Sequence, residues 1–537
     1  MFLDESTQAA IYWSQIWSRF QPLTPMGREA KRELLPFMPG QETAWENTLH
    51  EQELLWQSEE KDPDWGRRIE TYLRKVPDIE NVLFSLERDE QLGVSDWFIL
   101  KQFVWQVRLW RKSLEEQDLE GWTTIKEEVW ESLLTLLNPT PPLTPSFYLA
   151  DAYDQRLSAL RKRLQSLEKQ IREHREEAAK RIEAEFGVRR NRAGEWVVER
   201  DREVVKHLEA DQRLGRVRET PFDVVFVLLP TKVEEAWVSE REQVLDEIKQ
   251  VEKEVCRRLA REVRPFLSQL VSAVEELTHF DLQWARMRAA QEWRGCRPHL
   301  AADKVQIRGG FHPVIAEQLE EKGQLFTPLD MELPQGTTVI IGPNMGGKTV
   351  ALRTLGIICA LAQYGFFVPA KACSLPLYPY IAGVIGDGQD TQAGLSTFGA
   401  EVARLSKFLT QEQVGLLLLD EIGRGTNPVE GAALSAAVTA YLAEKKWWAV
   451  HVTHYHEVLQ IPGIYKLRTL GLKEEELAEH LAGGSSLAEG LKLLMDYRLV
   501  PVTGQEPIPQ QALTIAHALG LPETIVTDAR QRIASDG

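Results

Sequence analysis

The stretch with the clearest chemistry is Thr338-Val339-Ile340-Ile341-Gly342-Pro343-Asn344-Met345-Gly346-Gly347-Lys348-Thr349. Its β-branched run predicts a buried strand, and the next eight residues fit G-x-x-x-x-G-K-[ST]. Val350-Ala351-Leu352-Arg353-Thr354-Leu355 then continues in a helical pattern. The glycines let backbone N–H groups turn inward around a phosphate, and the helix N-terminus adds its partial positive charge. Lys348 can reach the β- and γ-phosphates and the Thr349 hydroxyl can hold Mg²⁺, so the stretch predicts a nucleotide cradle. A glycine-rich turn that matched by chance would lack the strand before it and the helix after it.

Downstream, Gly415-Leu416-Leu417-Leu418-Leu419-Asp420-Glu421 is an apolar run ending in two acids, as expected of a strand buried on both faces of a parallel sheet. Asp420 is suited to bind Mg²⁺ through water, and Glu421 to orient or deprotonate an attacking water. A second strand, Trp447-Trp448-Ala449-Val450-His451-Val452, leads to Thr453-His454. Strand ends converge on the ligand in open α/β sheets, which favours His454 as a γ-phosphate sensor over a structural histidine. Ser396 and Thr397, in Leu395-Ser396-Thr397-Phe398-Gly399-Ala400-Glu401, suit a helix cap with Glu401 supporting the first turns; the same cap is an anion site.

These residues need a scaffold. At 537 residues the chain has room for about three or four domains. A net charge of −17 argues against a protein that coats nucleic acid or anionic membrane with its whole surface, though a local basic patch is compatible with it. Cys256, Cys296, Cys359 and Cys373 form no CxxC pair, so neither a disulfide framework nor a zinc site is indicated. The N-terminus has no signal-peptide pattern and no apolar run reaches the ~18–20 residues that span a bilayer, so a soluble cytoplasmic protein is expected.

Residues 1–150 are helical in pattern and hold ten of the sixteen tryptophans, from Trp13 to Trp130. Trp13 and Trp17 are four apart, and Phe98, Val104, Trp105, Val107, Leu109 and Trp110 suit buried helix faces. No basic clusters interleave them, which predicts core packing rather than base stacking. Pro139, Pro141, Pro142 and Pro145 then mark a boundary.

An arm is predicted over 151–265. Leu157, Leu160, Leu164, Leu167, Ile171 and Ala178 hold a coiled-coil spacing, and Val244, Ile248, Val251, Val255 and Leu259 form the returning seam. Tyr153 to Ala184 as one helix would reach about 48 Å. A tip at about 186–230 is inserted between the two helices, with Glu195–Glu199 and Val224–Leu229 reading as strands. Residues 266–304 return to the helical core, and 305–537 form the nucleotide domain. From Tyr153 to Arg264 there are 26 Lys/Arg against 24 Asp/Glu, a net of +2 that leaves −19 for the rest. Arg189, Arg190, Arg192, Arg213, Arg216 and Arg218 fit a phosphate-backbone contact at the end of a lever. They also fit a solvated surface of arginines paired with glutamates, which the near-equal number of acids favours slightly.

Four motifs in order resemble those of the MutS family of ATPases: Gly342–Thr349, Ser396-Thr397-Phe398, Asp420-Glu421-Ile422-Gly423-Arg424-Gly425-Thr426, and Thr453-His454-Tyr455-His456-Glu457. The resemblance is specific over about 305–460. It extends more weakly to Leu23-Thr24-Pro25-Met26-Gly27 through Pro36, and to Ala512–Ala516 with Leu519–Pro522. It implies a mixed fold: an all-α lever and core with a long antiparallel coiled-coil arm and small β-containing tip, then an α/β P-loop domain of the ABC type. A C-terminal dimerisation segment closes that domain. It also implies an ATP- and Mg²⁺-dependent dimer, from one chain or with a related subunit.

Carried over by the resemblance, Lys348 contacts phosphates, Thr349 and Asp420 serve Mg²⁺, Glu421 is the catalytic carboxylate and His454 senses the γ-phosphate. Ser396 reaches the partner's ATP, and Phe326 packs on adenine. The sequence departs from the mismatch sensors, since no Phe-x-Glu wedge occurs. It also departs from the branch that Asn427–Leu434 resembles, because no Smr nuclease domain follows the ATPase. Two clients remain open. One is duplex or branched DNA closed on by the arms. The other is a protein, as in the similar reactivase ATPases of cobalamin-dependent lysine aminomutase.

Overall fold

The computed structural model describes residues 2–343, 346–386, 397–473, 495–502, 512–518 and 521–536. The fold mixes helix and sheet, with three sheets among the described residues. Contacts divide the chain into two compact units, Met1–Glu70 with Thr278–Gly537, and Thr71–Leu277. No described helix is long and apolar enough to cross a membrane.

The first unit is built on a six-stranded sheet. Its order in space is Met495–Pro501, Tyr465–Leu472, Thr337–Ile341, Trp448–Thr453, Leu416–Asp420 and Ile381–Val384. All neighbours are parallel except the first pair. Thr337–Ile341 and Trp448–Thr453 are buried along their whole length, as continuous apolar runs in a parallel sheet require. Register is what positions the site: Ile341 lies opposite Thr453, and Val452 opposite Asp420, so these strands finish at one level. The helix Lys348–Gln363 is buried on almost every turn, with Leu352, Leu355, Ile357, Ile358 and Leu361 in the core. Pro298–Leu300, Ala372–Leu375, Lys304–Gly310 and Leu329–Pro334 form a second, four-stranded sheet.

The early tryptophans of this unit are core residues. Trp45 is fully buried, and its indole N–H donates to the Ala362 carbonyl at 2.6 Å; Trp65 packs edge-on against Trp284.

In the second unit, Trp97, Trp110 and Trp130 are fully buried, whereas Phe98 is 42% exposed. Its neighbour Trp97 takes the core-facing position on that helix, so the expectation of burial for Phe98 is corrected. Two 32-residue helices, Gln155–Phe186 and Lys232–Val263, lie side by side in opposite directions, as the ion pairs Arg156–Glu254, Arg163–Glu240 and Arg175–Glu234 require. Leu157, Leu167, Val244, Ile248, Val251, Val255 and Leu259 are buried between them and their neighbours. Between the helices, Trp196–Glu199, Asp223–Leu228 and Leu214–Glu219 form an antiparallel sheet with Asp223–Leu228 in the centre. Trp196, Val198, Val224 and Phe226 face a small core completed by the helix Val204–Ala210.

Candidate nucleotide site

The strand Thr337–Ile341 ends at Gly342, and the chain enters its helix at Lys348 through Gly347, whose φ is +77°. A Cβ at Gly342 would lie 2.0 Å from Thr469 Oγ1, and one at Gly347 would lie 2.8 Å from the Tyr497 ring, so both positions exclude a side chain. Pro343 accepts the Gly346 N–H at 3.0 Å, closing the turn. Asn344 and Met345, expected in the cradle, lie outside the described residues, as does Ser396.

Lys348 is 5% exposed, and its ammonium donates to the Gly342 and Pro343 carbonyls at 2.9 Å each. Burial pushes its pKa down, opposed by the Glu421 and Asp420 carboxylates. The Thr349 hydroxyl donates to Asp420 Oδ2 at 2.9 Å. Asp420 Oδ1 is buried without a hydrogen-bond partner. Burial pushes the Asp420 carboxyl up and Glu421 adds to this, against the Thr349 hydrogen bond, Lys348 and Arg353. A buried acceptor without a donor is costly unless something satisfies it. Asp420 and Thr349 therefore fit a hard divalent cation that takes its other ligands from water and phosphate.

Glu421 follows the strand in the left-handed region, at φ +52°, and its N–H donates to the Val452 carbonyl at 2.8 Å. This turn aims the carboxylate across the sheet end: Oε1 is 3.6 Å from His454 Nδ1 and Oε2 is 3.4 Å from Arg424. The His454 imidazole, with Lys348 and Arg424, holds the Glu421 carboxyl below the usual range against its burial. His451, in the same strand as the approach to His454, is the contrasting structural histidine. It is fully buried, its Nδ1 is 2.7 Å from Thr439 Oγ1, and burial lowers its pKa to about 4.

The helix Thr397–Leu409 contributes Glu401, whose carboxylate accepts the Gly423 N–H at 2.7 Å. It thus braces the loop after Glu421 rather than the first turn of its own helix.

Lys348, Thr349, Asp420, Glu421 and Arg424 line a cleft of about 760 Å³. Its apolar lining includes Ile315, Leu319, Leu325, Phe326, Met495 and Tyr497. The structure thus brings Lys348, Thr349, Asp420, Glu421 and Phe326 into one cleft, and sets His454 beside Glu421. Tyr497, absent from the sequence reading, stands directly over Gly347. Its only sequence signal is the short run Met495-Asp496-Tyr497-Arg498-Leu499, remote from every motif.

A strand–loop–helix turn with acids at the end of the next strand but one is the arrangement expected of a P-loop nucleotide-binding domain. Residues 338–535 match the family described as MutS domain V. The chain is 32% identical over 291 residues to the Endonuclease MutS2 of Lactiplantibacillus plantarum, covering 54% of this chain and 34% of that protein. It is 33% identical over 301 residues to the DNA mismatch repair protein MutS of Thermus aquaticus, covering 53% and 34% respectively. The match spans about a third of the length of these curated relatives. Over residues 338–535 the chain is thus similar to domain V of MutS proteins.

Proposed function

We propose that the chain is a Mg²⁺-dependent ATP hydrolase whose nucleotide cycle opens and closes a pair of arms on DNA. The observation that carries this reading is one cleft lined both by Lys348, Thr349, Asp420 and Glu421, with His454 beside Glu421, and by apolar side chains that include Phe326 and Tyr497. Phe326 and Tyr497 would flank the base, while Lys348 leaves the loop carbonyls for the β- and γ-phosphates. Bound Mg²⁺ would be held by Thr349 and Asp420, neutralising charge that develops on the phosphates. Glu421, kept ionised by its neighbours, orients and deprotonates the attacking water, and His454 contacts the γ-phosphate.

In this reading two subunits, identical or related, close over ATP, with Ser396 reaching the partner's nucleotide. A lone subunit then turns over slowly, and hydrolysis shifts the population between closed and open arms. DNA as client is supported by the relatives, whose names describe an endonuclease and a DNA mismatch repair protein. A protein client, such as a cobalamin-dependent aminomutase, is favoured by one observation: Arg190, Arg213 and Arg216 at the tip are paired with acids of their own unit.

The steady-state ATPase rate, measured with and without duplex or branched DNA at low and moderate salt, separates these readings. Stimulation that fades as salt rises is expected of phosphate contacts. Turnover indifferent to DNA would replace the DNA client with a protein one, and absence of Mg²⁺-dependent turnover would remove the ATPase reading.

A further inference from the structure

The N-terminal segment is fastened at once to the edge strand Ile381–Val384 and to the helix Lys348–Gln363. Leu3 bridges Ile381 in parallel, and the Ile381 N–H donates to the Phe2 carbonyl at 2.9 Å. Both backbone groups of Gly383 are held: its N–H donates to Thr7 Oγ1 at 2.9 Å, and its carbonyl accepts from Arg404, which lies 3.7 Å from Asp4. Ile11 is fully buried against Gly356 of the phosphate-loop helix, where a Cβ would come within 2.9 Å of it.

Tyr12 is the unusual residue of this segment. Its φ is +53°, a conformation that a bulky side chain adopts only where its surroundings impose it. Here the surroundings are His312 and Arg353. The Tyr12 ring meets His312 edge-on at 5.5 Å, and His312 Nε2 lies 3.2 Å from the Ile11 carbonyl. Burial lowers the His312 pKa to about 4, so the ring is neutral and donates through Nε2.

The Tyr12 hydroxyl accepts from Arg353 Nη1 at 3.1 Å, and the guanidinium carbon is 5.4 Å from the Tyr12 ring centre. Arg353 Nε is buried without a partner, so this tyrosine is the group that sets the guanidinium's direction. Arg353 stands five residues after Lys348 on the same helix, Lys348–Gln363. Packing alone would require neither the hydroxyl nor the strained backbone.

We propose that Tyr12 and Arg353 are a positioning pair through which the N-terminal segment fixes the helix that carries Lys348 and Thr349. The inference rests on the ATPase reading for its kinetic effect, but not for its structural one. The full chain carrying Tyr12→Phe, Arg353→Gln, Arg353→Lys, or Tyr12→Phe with Arg353→Gln tests it.

Expected kcat losses are about threefold for Tyr12→Phe and about tenfold for Arg353→Gln, as for loss of a hydrogen bond to a charged group, with KM for ATP changed less than about twofold. Arg353→Lys recovers part of the loss, and the double variant is no slower than Arg353→Gln alone, because the two residues act as one unit. Amide exchange over residues 348–355 should quicken in Tyr12→Phe while the remaining core helices hold their protection.

Multiplying losses in the double variant, or unchanged kcat with exchange raised uniformly, would overturn the pairing. Wild-type protein without ATP turnover would remove the ATPase reading, and exchange over 348–355 would then decide the pairing by itself.

Discussion

In the nucleotide cleft, Asp420 keeps one carboxylate oxygen buried without a donor, and Glu421 and His454 stand 3.6 Å apart, beyond hydrogen-bond reach. At the arm tip the charges satisfy one another: Arg190 binds Glu176, Arg213 binds Asp211 and Glu185, and Arg216 binds Glu209 and Glu219. Both regions are rich in ionisable groups, but those of the cleft are less completely paired than the tip arginines Arg190, Arg213 and Arg216. Unsatisfied buried polar atoms mark where a ligand completes the structure, whereas exposed ion pairs are complete and worth little individually. Of the six arginines read as the tip's cationic group, Arg189, Arg192 and Arg218 have no ion pair among the described residues, unlike Arg190, Arg213 and Arg216. The comparison therefore sorts the tip arginines, which the sequence treats alike.

The largest effect expected from breaking this contrast is at Lys348. Lys348→Ala should lower kcat at least about a hundredfold, the scale of one lost charge-stabilising donor, and weaken ATP binding. Retained ATP affinity, read by equilibrium binding, would remove the phosphate contact from the account. Glu421→Gln should cut turnover by about a hundredfold or more while ATP still binds, and should accumulate the closed dimer on gel filtration with ATP. Normal turnover would strip Glu421 of its role.

Phe326→Ala and Tyr497→Ala should each raise KM for ATP by up to about tenfold with little change in kcat, the scale of one aromatic contact. A fall in kcat at constant KM would mean that they act on the phosphates instead.

The smallest effects are at the tip. Joint replacement of Arg189, Arg192 and Arg218 by Ala should weaken DNA binding and flatten its salt dependence by about 0.9 in log–log slope per lost contact. Arg190→Ala should leave that slope unchanged and alter stability by no more than about 1 kcal/mol. If both sets flatten the slope equally, the distinction between paired and unpaired arginines has no functional meaning.

Much of the cleft was legible in the sequence because its parts are local. A β-branched strand, a glycine loop and a helix occupy one continuous stretch, and an apolar run ending in Asp420 and Glu421 can be read without its neighbours. What was not legible depends on strand order. The strand Trp448–Thr453 lies between the phosphate-loop strand and the acid strand, and that placement lets His454 approach Glu421. Tyr497 reaches Gly347 only because Met495–Pro501 pairs antiparallel with Tyr465–Leu472, an arrangement with no local signature.

At the tip, Leu214-Gly215-Arg216-Val217-Arg218-Glu219 escaped detection because it is an edge strand with a register shift and a polar face. The ion pairs there join residues as far apart as Glu185 and Arg213, so no short-range pattern tells a paired arginine from an unpaired one. The docking of the first twenty residues on the nucleotide unit was equally hidden, resting on single contacts such as Thr7 with Gly383.

Nucleotide and metal are what should complete Asp420 and its neighbours. Equilibrium binding of a slowly hydrolysed ATP analogue, with and without Mg²⁺, to the wild-type chain and to Asp420→Asn tests this most directly. The account predicts that Mg²⁺ tightens binding to the wild type and that Asp420→Asn loses most of that tightening. Equal Mg²⁺ dependence in the two proteins, or no saturable binding to the folded wild type, would contradict it.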